Sequence, residues 1–168
     1  FSNFAERERL SFRNIDINKL IEESIQLFSR QYRNISFGLK REHNGQLEAD
    51  SNKIQQVLNN LLLNSIDACD QTEEPLINFQ TKTKKINSQN FCQITINDNG
   101  QDFDEKLINT VFEPYQTSKE HGKGLGLAIV KSIIDEHKGV ISIENNNVGA
   151  TIKIILPVEQ TPPKETTL

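Results

Sequence analysis

The sequence predicts an α+β fold, a two-layer α/β sandwich in which a mostly antiparallel, mixed sheet packs on three helices. Three stretches repeat apolar residues at helical spacing, and between and behind them lie shorter runs that alternate as half-buried strands do. A chain of 168 residues, 35% hydrophobic and 25% charged, is long enough for one domain whose core needs neither disulfides nor a structural metal.

Residues 1–14 are expected to be the end of a helix begun upstream, with Phe1, Phe4 and Ala5 on one side, followed by a linker. Residues 15–32 read as an amphipathic helix, with Ile17, Leu20, Ile21, Ile25, Leu27 and Phe28 near helical spacing. Residues 35–41 alternate as a strand, and His43, Asn44 and Gly45 form a hairpin-type turn into a second short strand. Asp50 or Ser51 caps the next helix, which runs to about residue 70 and buries Ile54, Val57, Leu58, Leu61, Leu62 and Ile66. Residues 76–84 and 91–97 read as paired strands, 104–111 as a short helix, and 113–124 as a polar stretch. A helix over 125–137 and strands over 140–145 and 150–156 complete the fold. Residues 158–168 hold too few apolar side chains to pack and are expected to be disordered.

The formal net charge is −4, with no basic face of the kind that binds a duplex, so no nucleic-acid partner is expected. No apolar run approaches the ~18 residues of a membrane span, and the first residues are not a basic-then-apolar leader. The chain therefore reads as cytoplasmic and without direct membrane contact, as a piece of a longer protein that could itself be anchored in a membrane. The two cysteines, Cys69 and Cys92, lack metal-ligand spacing and are expected to be reduced, buried small residues.

Four motifs carry chemistry. Asn60 and Asn64 in LNNLLLNSIDA share one helix face; their carboxamide oxygens suit Mg2+, which shares phosphate oxygens and keeps waters. The same two residues also fit a merely solvated face. In NDNGQDF, Asp98 ends a strand, where a sheltered carboxylate can accept a charge-assisted hydrogen bond from an exocyclic amine such as that of adenine. Gly100 beside it permits φ > 0 and the approach of a flat ring, although an ordinary Asn-Gly turn has the same letters. In GKGLGLAIVK, Gly122, Gly124 and Gly126 alternate just before a helix, exposing N–H groups where the helix end adds positive charge. This lacks the Ser or Thr of a P-loop and the preceding strand of a dinucleotide fold. Between these motifs, VFEPYQTSKEHGKG has the small polar residues and flanking glycines of a mobile lid. Phe112 could anchor its hinge, and Lys119 and Lys123 could reach phosphates or simply be solvated.

The ordered set of an Asn-bearing helix, DNG, FEPY, GKGLGLAIVK and GAT closely resembles the ATP-binding catalytic domain of two-component histidine kinases, which has the Bergerat ATP-binding fold shared with gyrase, heat-shock chaperone and MutL-type ATPases. The resemblance covers roughly residues 15–157, the expected catalytic domain. It implies ATP and Mg2+ as cofactors and assigns Asn60 and Asn64 to the asparagine box, with Asn64 the metal ligand. It likewise implies nucleotide contacts at Asp98, Gly100, Phe112, Gly122, Lys123, Gly124, Leu125, Gly126 and Thr151, and catalytic roles for Asn60 and Lys119. FSNFA and the compact lid are similar to the nitrogen-regulatory, NtrY-like kinases. Two departures stand out: Asp102 occupies the place of a frequent second glycine, and none of His43, His121 and His137 lies in the family's histidine-acid motif.

The reaction implied is transfer of the γ-phosphoryl group of ATP to a histidine on separate dimerisation helices, and from there to a response regulator. An ATP hydrolase or clamp of the same fold is the main alternative. Those relatives place a glutamate general base where Asn60 stands, and an amide cannot take a proton from water. A non-catalytic, nucleotide-gated binding module is the other alternative, for which Asp102 offers some support.

Overall fold

The computed structural model describes residues 9–113 and 126–160. In chain order the elements are β1 (Arg13–Asp16), α1 (Ile17–Gln31), β2 (Ser36–Glu42), β3 (Gln46–Ala49), α2 (Ser51–Ala68), β4 (Leu76–Ile86) and β5 (Gln89–Asp98). A single 3-10 turn at Ile108–Thr110 follows, then α3 (Gly126–Glu136), β6 (Val140–Asn145) and β7 (Ala150–Pro157). The main sheet has the order β2-β4-β5-β7-β6, and β1 pairs with β3 in a separate two-stranded ribbon. Only β2 and β4 are parallel within the main sheet, so it is mixed and mostly antiparallel, as expected.

Strand alternation sorts the sheet into two faces. Ile77, Phe79, Ile94, Ile96, Ile152 and Ile154 point toward the helices and are buried. On the other face a cross-strand row runs through Gln80, Thr95, Lys153 and Ser142. The helices close the buried face with Ile17, Ile21 and Phe28 of α1, Leu58, Leu61 and Leu62 of α2, and Val130 and Ile134 of α3. Both long helices start on an aspartate whose carboxylate accepts an N–H of the first turn: Asp16 from Lys19 and Asp50 from Lys53, each at 3.2 Å.

Several expectations change in detail. Residues 13–16, expected to straddle a linker and a helix start, form β1, because Arg13–Asp16 satisfies its backbone on β3. The turn at 43–45 does not close a hairpin, since β2 pairs with β4 and β3 with β1. Gly45, with φ +91°, redirects the chain, and the Ile17 N–H donates to its carbonyl at 2.8 Å. The helix expected over 104–111 shrinks to the 3-10 turn, which has no side-chain cap. β4 and β5 extend further than their apolar alternation and meet at Asn87 and Ser88, both with positive φ, the backbone of a tight hairpin turn. At the far end, Val158 bonds to Asn90 and Glu48 through its backbone and Gln160 to Glu48 and His137, so 158–160 are tied to the domain rather than free of it. The rest of the expected tail lies outside the described residues.

Candidate functional site

The site forms where β5 ends against α2. Asp98 is the last residue of β5, and its alternation turns the carboxylate to the helix side, where it is buried. Oδ1 accepts the Gly100 N–H at 3.0 Å, and the Ala150 N–H of neighbouring β7 also bonds to the carboxylate. Burial pushes the Asp98 carboxyl above the ordinary carboxylate range; the two N–H groups and the Ser65 hydroxyl oppose this, while the Asp102 charge reinforces it. A buried carboxylate with incomplete compensation is poised to accept a donor from a ligand.

The turn that follows is locked to its neighbours. Asn99 accepts the Leu76 N–H at 2.8 Å and donates to the Glu74 carbonyl at 3.2 Å, which staples the loop before β4. Gly100 serves a different purpose from the one its place in an Asn-Gly turn suggests. It is not among the residues with positive φ; instead, a β-carbon there would collide with the Ala68 carbonyl at the end of α2. The Gln101 N–H donates to that same carbonyl at 2.7 Å.

α2 brings the asparagines to this place. Asn60 and Asn64 are half-buried, on the margin of the stripe that packs Leu61, Leu62, Ser65 and Ile66 inward. Ser65 meets Asp98, so the Asn64 end of α2 runs beside the carboxylate. Phe112 is half-buried and packs on the core next to buried Val111. Gly126 opens the described part of α3, and a β-carbon there would meet nothing. Lys119, Gly122, Lys123, Gly124 and Leu125 lie outside the described residues.

Thr151 does not join the others. Its register opposite Asn97 places it on the sheet face away from Asp98. Its hydroxyl donates to the Asn97 side-chain oxygen at 2.6 Å and accepts from Asn146 at 2.9 Å. The neighbour that reaches Asp98 is Ala150, through its backbone. Sequence reasoning missed both Ala150 and Ser65. The β5–β7 register is the signal that identifies the first, and an alanine backbone carries no other mark.

The described histidines and the two cysteines are buried. His43 is buried, with Nδ1 2.6 Å from the Thr83 hydroxyl and Nε2 2.9 Å from the Gln46 carbonyl. His137 is buried too: Nε2 accepts the Asp50 N–H at 3.1 Å, Nδ1 lies 2.8 Å from the Ile133 carbonyl, and Phe12 packs edge-on at 5.3 Å. His121 lies outside the described residues. Burial pushes the Cys69 thiol up to about 11, helped by Asp98, and the Cys92 thiol up to about 12, so both stay protonated and unreactive.

Residues 49–160 match the family of histidine kinase-, DNA gyrase B- and HSP90-like ATPases. The chain belongs to this family. Within it, the similar proteins are sensor kinases. The putative sensor histidine kinase NtrY-like of Rickettsia bellii is 31% identical over 153 residues, 90% of this chain and 24% of that protein. The sensor histidine kinase ZraS of Escherichia coli K12 is 31% identical over 156 residues, 90% of this chain and 32% of that protein. The chain thus spans about a quarter to a third of the length of these relatives. Among solved structures, the catalytic domain of histidine kinase ThkA superposes with a TM-score of 0.77 at 31% identity, covering 89% of this chain and 97% of that one. ThkA in complex with the response regulator TrrA superposes at 0.73 and 29% identity, covering 94% of this chain and 45% of that one. The chain is thus an ATP-binding catalytic domain of the histidine-kinase type. Among the described residues no helix is long and apolar enough to cross a membrane.

Proposed function

We propose that this domain binds ATP with its adenine amine on Asp98 and transfers the γ-phosphoryl group to a histidine carried by separate dimerisation helices, which pass it to a response regulator. The observation that carries the reading is the buried carboxylate at the end of β5, held by the Gly100 and Ala150 N–H groups beside the asparagine-bearing stretch of α2. A lone carboxylate in such a place selects a donor such as an exocyclic amine and repels the carbonyl that guanine presents there.

Asn60 and Asn64 fit a hard divalent cation such as Mg2+. Their amide oxygens are neutral hard donors, and among the described residues no cluster of three His, Cys, Asp or Glu competes for a metal. When bound with the phosphates, Mg2+ would neutralise charge on the transferring group. The chain's own residues bind and orient: Asp98 fixes the base, Asn60 and Asn64 fix the phosphate end, Phe112 anchors the segment that follows, and the glycine-rich run before α3 supplies N–H groups for phosphate oxygens. By this reading Lys119 and Lys123 add positive charge near those oxygens, and the domain works on the cytoplasmic side of a sensor.

By this reading the accepting nitrogen is external to the described residues. Both ring nitrogens of His43 and of His137 are engaged in buried contacts, so neither can attack a phosphorus atom without unpacking the core. Incubating the chain with γ-labelled ATP tests this: it should bind nucleotide and remain unlabelled. Adding histidine-bearing dimerisation helices as a second polypeptide should place acid-labile label on that polypeptide alone. Stable label on this chain, or rapid phosphate release without the helices, would overturn the reading.

A further inference from the structure

The Ser65 hydroxyl is one of two buried side-chain oxygen atoms that, among the described residues, find no hydrogen-bond partner. The residue is 2% exposed and lies in the last turn of α2, near the C-terminal end of its buried stripe. A serine inside a helix can return its proton to a carbonyl one turn back, and this one does not. An orphaned buried hydroxyl is destabilising, and alanine is the better helix former at such a place, so packing gives no reason for the oxygen. Its polar neighbour is the Asp98 carboxylate, whose charged form the hydroxyl favours although no hydrogen bond between the two is formed.

We propose that Ser65 is a positioning residue of the nucleobase pocket, its hydroxyl closing onto the Asp98 carboxylate to fix the oxygen that meets an exocyclic amine. The arrangement around Asp98 makes this a distinct role. Backbone N–H groups of Gly100 and Ala150 hold the carboxylate from the β5 turn and from β7, and neither can be removed by a side-chain change. From α2 the groups that face it are Ser65 and the Cys69 thiol at the helix end. From the following loop the Asp102 charge repels it. Ser65 is therefore the side chain on α2 whose hydroxyl can donate to the carboxylate, acting against both burial and Asp102. Recognition of an amine needs the carboxylate ionised, so the hydroxyl widens the pH range over which adenine nucleotides bind.

The inference rests on the reading of Asp98 as the adenine-binding group, and the experiment separates the two. ADP affinity is measured by calorimetry from about pH 5 to pH 8 for the wild type, Ser65→Ala, Ser65→Thr and Asp98→Asn, with thermal melting as the control for folding. Ser65→Ala removes a single oxygen and should stay folded. At pH 8 it should bind within roughly twofold of the wild type, and the deficit should grow to about tenfold as the pH falls. Ser65→Thr restores a hydroxyl and should bring back the wild-type profile. Asp98→Asn should bind weakly with no such acidic fall. If Ser65→Ala tracks the wild type at every pH, or weakens binding by the same factor throughout, Ser65 has only a packing role and the inference fails. If Asp98→Asn binds as the wild type does, the adenine reading fails and the inference falls with it.

Discussion

Replacing Asp98 by asparagine separates the stability of the domain from its recognition of nucleotide. Asp98 titrates above the usual carboxylate range because it is buried. The folded state therefore holds its proton more tightly than the unfolded chain does, and stability falls as the pH rises from the ordinary aspartate value through the raised one. At neutral pH the ionised carboxylate is a net cost to folding, which Asp98→Asn removes. Against this, the amide NH2 replaces one of the oxygens available to the Gly100 and Ala150 N–H groups, a loss of about 1 kcal/mol. The two effects oppose, so the unliganded variant should melt close to the wild type. Binding has no such compensation: a hydrogen bond to a charged group contributes about 1.5–3 kcal/mol, roughly ten- to a hundredfold in affinity. ATP at a hundred times the wild-type dissociation constant stabilises the wild type by about 2.7 kcal/mol and the variant by about 1.4 or about 0.4 kcal/mol. Calorimetric titration gives the affinities directly and differential scanning the stabilities. The preference for ATP over GTP should shrink as well, because the charge that repels the guanine carbonyl is gone. Unchanged ATP affinity, or an ATP preference that survives intact, would refute the placement of adenine at Asp98.

Other perturbations test other parts of the site. Asn64→Ala should weaken the dependence of ATP binding on Mg2+ while leaving metal-free ADP binding nearly intact, as titration with and without Mg2+ would reveal. Gly100→Ala should destabilise the fold by about 1–3 kcal/mol, through collision with the Ala68 carbonyl rather than backbone strain; thermal melting measures it, and affinity should fall with it. Asp50→Ala should cost about 1 kcal/mol at pH 7 by uncapping α2. Burial raises the Asp50 carboxyl, but the Ser11, Lys53 and Asn52 N–H groups outweigh it and hold the group below its ordinary value. Its contribution is therefore full above the ordinary aspartate range and is lost as the pH falls through the lowered folded value. Chemical denaturation of both proteins should show the gap closing under acid.

The helices and most strands were legible in the sequence because their signals are local. α2 announces itself by an aspartate cap and an apolar stripe from Ile54 to Ile66, and both survive in the structure almost residue for residue. β7 and β5 alternate plainly enough to be placed within a residue or two, although β5 begins earlier at Gln89. Asp98 stands at a strand end in the structure as it does in the sequence pattern. What misled were signals that depend on a distant partner. The turn at Gly45 looks like a hairpin locally, but β3 found its partner in β1, which has too few apolar residues to read as a strand. Thr151 looks like a pocket residue by its place after GA, yet one step of strand alternation turns it to the other face.

The sequence by itself thus determined the fold class, the order of the three long helices and the main-sheet strands, and the chemistry on offer: two amides on one helix face, a carboxylate at a strand end and a glycine-rich approach to a helix. Tertiary structure alone decided which of these meet. Asp98 acquires its raised affinity for protons only because the fold buries it, while Ser65 and the Ala150 N–H, brought from positions 33 residues before and 52 residues after it, oppose that rise. Gly100 is required by the carbonyl of a helix end that no local pattern brings near. Electrostatic environment is a property of what surrounds a group in space, and periodicity along a chain reports which side a residue faces but not what it will face.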